Sequence, residues 1–145
     1  MSKVEDFLSK SEELAVVESI RMAEQNTSGE IRIHLEKSTK IDVMARAHEV
    51  FFELKMQETL LQNGVLIYVA VDDRKFAICG DSGINDRVSA DFWASTRNKI
   101  AEQFAQGHFK QGLIDGVTEA GMQLQQYFPS VADDTNELSN EISVG

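Results

Sequence analysis

The chain has 145 residues, 42% hydrophobic and 26% charged, with 24 acidic side chains against 14 basic ones and a net charge of −10. This is the composition of one ordinary globular domain large enough to bury a core. Its Lys and Arg are scattered, which argues against a nucleic-acid binder, because affinity for a phosphate backbone comes from clustered cations.

Residues 1–10 read as an N-terminal arm. A helix is expected from about Ser11 to Gln25: Leu14, Val17 and Ile20 recur at helical spacing, and Ser9 with Glu12 has the form of a capping box. "EIRIHLEK" then alternates, with Ile31, Ile33 and Leu35 on one face and Glu30, Arg32, His34 and Glu36 on the other. That pattern predicts a half-buried strand, its polar face solvated at the edge of a sheet. A second helix fits Asp42 to about Leu61. "VLIYVAV", Val65 to Val71, is a continuous run of β-preferring residues and predicts a central strand covered on both faces.

Asp72-Asp73-Arg74 is a tight turn, and "KFAIC" returns as an antiparallel partner. Gly80 to Ser89 reads as loop. A third helix carries Phe92, Trp93, Ile100 and Phe104, and a fourth carries Leu113, Val117, Ala120, Leu124 and Phe128 before Pro129 stops it. Gly112 and Gly116 would let helices approach closely. The tail over 130–145 holds four acidic residues, no basic one and little periodicity, and is expected to be disordered.

The order α-β-α-β-β-α-α implies one domain over 11–129. Its architecture is a three-layer α/β/α sandwich with a small mixed sheet of three to four strands and about four helices. A fourth, short edge strand is sought in "KSTKI" or elsewhere. The single cysteine, Cys79, lies in an apolar strand; it excludes an intrachain disulfide and a CxxC metal site and reads as a buried hydrophobe. No stretch has the ~20 apolar residues of a membrane span or the core of a signal peptide, so a cytoplasmic protein is expected.

"TSGEIRIHL", "NGVLIYVAVDDRKFAICGDSGI", Trp93 and "FKQGLIDGV" together resemble the TPM domain, known from thylakoid-lumen photosystem II repair proteins and many bacterial proteins. The resemblance runs from about Leu14 to Phe128. It implies an α/β/α sandwich, divalent-cation binding (often calcium) in some members, and acid phosphatase activity in plant members. This chain departs from many relatives in showing neither export signal nor membrane anchor, and reads as a stand-alone domain.

Topology sorts the carboxylates. The helical crossover makes the Glu30 and Val65 strands parallel, and the hairpin makes the third antiparallel. Glu30, Asn63, Gly64 and Asp81 then share one edge of the sheet, with Asp86 close by and Asp91 and Asp115 as further candidates. Asp72 and Asp73 fall at the opposite edge, where open α/β sheets tend to bind ligands. Oxygen donors at Asp81, Asn85 and Asp86 around Gly83 suit a hard cation, Ca²⁺ or alternatively Mg²⁺, although the spacing is not that of an EF-hand. Equally, Asp81 and Asp86 could simply make turn hydrogen bonds.

The expected metal ligands are therefore Asp81, Asp86 and Glu30 at one edge and Asp72 and Asp73 at the other. No nucleophile elbow, P-loop, dinucleotide fingerprint or zinc-ligand spacing is present. The reading is a non-catalytic, calcium-type metal-binding domain whose loops order with the ion and which serves a regulatory role or an unidentified protein partner. Two alternatives stand beside it: a metal-dependent acid phosphatase holding phosphate through Arg32, Arg74 or Arg87, and a metal-free interaction module.

Overall fold

In the computed structural model, residues 7–130 and 139–145 are described. The first helix, α1 (Lys10–Glu24), begins as its sequence dictates: Ser9 Oγ accepts from Glu12 N, and Glu12 Oε1 accepts from Ser9 N. Strand β1 (Glu30–Glu36) follows, then α2 (Val43–Glu53), which Asp42 caps by accepting from Met44 N and Ala45 N. A 3₁₀ turn (Met56–Glu58) leads into β2 (Gly64–Ala70) and β3 (Lys75–Gly80). The rest is a short α3 (Ser82–Asn85), α4 (Ala94–Ala105), α5 (Phe109–Tyr127) and a two-residue β4 (Ser143–Val144).

The sheet order is β3-β2-β1-β4. β1 and β2 are parallel, β2 and β3 antiparallel, and β4 runs parallel to β1. The α/β/α sandwich with a small mixed sheet is thus what the chain forms. Alternate residues of each strand feed two cores. Ile31, Ile33, Val65, Ile67 and Ile78 pack with α1, α4 and α5 on one face. Leu66, Tyr68, Ala77 and Cys79 pack with α2 on the other. Each fully buried Ile or Leu contributes roughly 1.5–3 kcal/mol, and β2, buried at all seven positions, is the spine of both cores. Gly112 and Gly116 bring α5 against Phe104 and Ile100 of α4, where an added Cβ would lie 2.6 Å from each side chain. Among the described residues no helix is long and apolar enough to cross a membrane.

Four expectations are corrected. The second helix ends at Glu53 rather than Leu61, because Lys55 takes a left-handed conformation (φ 58°) and Leu60 faces solvent. The loop after β3 contains α3. Of the expected arm, residues 1–6 lie outside the described residues, but Phe7 and Leu8 join the core. Of the tail expected to be disordered, 131–138 lie outside the described residues, while Ser143 and Val144 supply the fourth strand, paired with His34 and Leu35.

Candidate functional site

At the amino edge of the parallel pair, Glu30 stands opposite Gly64. On the other side of Gly64, Asp81 N donates to Gly64 O at 3.0 Å. The two acids therefore occupy one row of the sheet, separated by a residue without a side chain, on the face that carries Leu66 and Cys79. Glu30 is only 3% exposed. Asp81 caps α3 through Oδ1, which accepts from Ser82 N at 2.7 Å, while its Oδ2 is buried with no hydrogen-bond partner among the described residues.

Neutral oxygens surround this turn. Ser82 Oγ donates to Gln62 Oε1 at 2.8 Å, Asn85 Nδ2 donates to Gly80 O at 2.9 Å, and Asn63 Nδ2 donates to Ser28 Oγ at 3.4 Å. Gly83 lies so close to the Leu61 and Gln62 carbonyls that an added Cβ would meet them at 2.3 and 2.4 Å. α3 is thereby locked onto the segment that precedes β2. Asp86, the C-cap of α3, is exposed. Asp115 is engaged on α5 by Gln111, whose Nε2 donates to it at 2.7 Å.

At the opposite edge Asp72 and Asp73 are exposed. Asp73 Oδ2 accepts from Thr39 N at 2.9 Å, tying the β2–β3 turn to the β1–α2 loop. Together these form the wall of a cleft of about 620 Å³ that Asp42 also lines. Both Asp73 and Asp42 are thus committed to backbone amides. Among the described residues no three His, Cys, Asp or Glu side chains gather closely enough to hold an ion.

The polar face of β1 is not solvated, contrary to expectation. His34 is 5% exposed: it stacks on Tyr68 with centroids 5.9 Å apart, its Nδ1 lies 3.0 Å from Ser143 Oγ and its Nε2 3.4 Å from Glu36 Oε1. Glu36 is the centre of this network. Arg46 grips it in bidentate fashion at 2.8 and 2.9 Å, and Tyr68 Oη donates to it at 2.6 Å. The Arg46 hydrogen bonds, with help from Tyr68 and His34, hold the Glu36 carboxyl at about 2. Burial, then the hydrogen bond to Glu36, raises the Tyr68 phenol, and burial lowers His34 against the pull of Glu36.

Arg46 and Tyr68 are not singled out by the local sequence pattern. The available signal was a tyrosine inside "VLIYVAV": a buried phenol needs an acceptor, and the acidic end of the adjacent strand was the nearest source. On the same face the Cys79 thiol, pushed up to about 11 by burial, lies 3.6 Å from His48 Nδ1. The other histidine, His108, sits before α5 with Nδ1 3.2 Å from Gln103 Oε1.

The family model of the TPM domain matches residues 1–123. Among solved structures, the chain is similar to the BA42 protein of the psychrophilic bacterium Bizionia argentinensis, determined by NMR. The identity is 63%, all of both chains is covered and the TM-score is 0.93. Two more distant NMR structures show the same fold. One is the N-terminal domain of a P. gingivalis protein, 16% identical over 84% of this chain and 79% of that one, with a TM-score of 0.68. The other is the N-terminal domain of the cg2496 protein from Corynebacterium glutamicum, 12% identical over 81% and 74%, with a TM-score of 0.60. No curated protein matches.

Proposed function

The chain belongs to the TPM domain family, and we propose that it binds a divalent cation, Ca²⁺ in the first place and Mg²⁺ as the alternative, at the amino edge of its sheet through Asp81 and Glu30. The observation that carries this reading is Asp81 Oδ2, a buried carboxylate oxygen with no hydrogen-bond partner among the described residues. An ionised acceptor left in that state costs more than a neutral one. A hard cation compensates that cost directly, and it accepts neutral oxygens and water for the rest of its shell.

Gln62, Ser82 and Asn85 supply such oxygens around the same turn. With two carboxylates rather than three or four, the site suits a sensor of abundant cation better than a tight buffer. Asp72 and Asp73 serve in this reading as turn residues, and Asp86 as the end of α3. Ion binding would join the segment before β2 to the β3–α3 loop, and a protein partner would read the change on that surface.

The test is a calcium titration of chelator-stripped protein followed by amide chemical shifts, with magnesium for comparison. Saturable shifts over 61–64 and 80–86 that vanish in the Glu30→Gln/Asp81→Asn double variant are expected. Shifts centred on 72–74, or unchanged affinity in the double variant, would overturn the assignment. Turnover of a generic phosphomonoester, with and without calcium, separates this reading from a phosphatase.

A further inference from the structure

On the far side of the β2–β3 turn from the Thr39 cleft, a groove of about 740 Å³ opens between that turn and the α4–α5 connection. Phe7, Phe76, Phe104 and Phe109 form its wall. Phe7 stacks on Phe109 at 4.4 Å, and Phe104 meets Phe76 and Phe109 edge-on at 5.6 and 5.5 Å. The volume is that of a small-molecule site.

The polarity of the lining is divided by position. All of its polar side chains, Asp72, Arg74 and Lys75, stand at the turn, and the remainder of the lining is apolar. Arg74 and Lys75 are exposed, and neither makes an ion pair or side-chain hydrogen bond among the described residues. In a chain of net charge −10, an aromatic groove ending in two such cations against one acid is complementary to a ligand with an apolar body and an anionic head. A peptide would carry its amides into a wall that offers them no partner, at a cost for each. A hydrocarbon chain has no such groups. We propose that this groove binds a single-chain amphipathic carboxylate, its alkyl chain against the phenylalanines and its head group at Arg74 and Lys75.

The probe is sodium dodecanoate below its micellar concentration, titrated into the full chain and followed by amide shifts. Saturable shifts are expected at Phe7, Val71, Arg74, Phe76, Gly107 and Phe109. Dodecyltrimethylammonium, with the same tail and the opposite charge, should bind more weakly. The Arg74→Gln/Lys75→Gln variant should lose about fivefold to tenfold in dodecanoate affinity. Ala105→Trp, which fills the groove from an exposed position, should abolish binding while the fold, read from the remaining shifts, persists. Equal affinity for the two amphiphiles, shifts mapping elsewhere, or an Ala105→Trp variant that still binds would overturn the proposal.

Discussion

Tyr68 Oη donates a 2.6 Å hydrogen bond to Glu36 Oε2 across the β1–β2 pair, beneath the Arg46 fork that grips the same carboxylate. Each side chain justifies the burial of the other: Tyr68 is fully buried and needs an acceptor, and Glu36 is nearly so and needs donors. Tyr68→Phe should therefore cost about 1.5–3 kcal/mol, the range for a hydrogen bond to a charged acceptor. Glu36→Ala should cost more, because it removes the acceptor of the buried phenol and of two Arg46 donors at once, although Arg46 keeps Glu49 and Glu53 as partners. Urea denaturation of the two variants gives the order directly; a Glu36→Ala protein as stable as Tyr68→Phe would contradict it.

Acid should act through the same residues. The Glu36 carboxyl is lowered from 4.5 to about 2 in the folded chain, so its contribution is complete above 4.5. That contribution is lost as the pH falls toward 2, and amounts to roughly 3 kcal/mol. His34, lowered by burial from 6.5, adds an earlier loss that begins as the pH drops through 6.5, since the unfolded chain takes up that proton first. Stability against pH should thus fall in two stages. Glu36→Gln should remove the lower stage and enlarge the upper one, because it takes away the charge that opposes the depression of His34.

β4 keeps solvent from His34: Ser143 Oγ lies 3.0 Å from its Nδ1, and a Cβ added at Gly145 would lie 2.7 Å from its Nε2. Deleting 139–145 should raise the His34 pKa toward its ordinary value, because burial is the main cause of its depression. A histidine titration by NMR reads this without dependence on global stability. An unchanged His34 titration would mean that α2 and Tyr68, not the last strand, exclude the water.

Asp81→Asn separates the ion from the fold. Asparagine retains an oxygen for the Ser82 amide, so the cap survives, while the buried, unpartnered charge on Oδ2 disappears. Without metal the variant should match the parent within about 1 kcal/mol or exceed it. In excess calcium it should lack the parent's rise in Tm, which follows mass action on the folded state. Thermal melts at several calcium concentrations suffice.

Gly83→Ala should be the most damaging of the conservative changes at the site. Its Cβ would meet two backbone carbonyls, which cannot swing aside as a side chain does. A cost of about 1–3 kcal/mol is expected from such overpacking, together with displaced amide signals at 61–63. Gly107→Asn is the control: that glycine has φ +78° but open space around it, and asparagine tolerates the conformation.

Legibility in the sequence followed the range of the interactions. The Ser9–Glu12 box, the buried strand β2, the hairpin and the glycine seam between α4 and α5 are local patterns, and the structure contains them all. The shared row of Glu30 and Asp81 followed from strand direction alone. What failed depended on remote contacts. Alternation on β1 marks two faces, but it does not show that Glu30 and His34 on the polar face are buried, His34 beside Ser143 from 109 residues along the chain. The strand that covers His34 comes from a segment whose composition looks like tail, and two residues carry no periodicity. The end of α2 is not legible in the sequence because Leu60 and Leu61 continue an apolar spacing while facing solvent.

The pairing of His34 and Leu35 with Ser143 and Val144 spans 109 residues of sequence, and Thr27 is pinned to Phe128 across 101. β1 is therefore made well before the strand that covers it: its outer edge gains β4 only once Ser143 and Val144 are available to pair with His34 and Leu35. Loop closure over such distances is slow relative to hairpin or helix formation. Until it occurs, a seven-residue strand with three buried aliphatic side chains presents an open edge to other chains. The vulnerable species is thus a chain in which β1 has paired with β2 but not yet with β4, and amide exchange at Ile33 and Leu35 should be the last to slow during refolding.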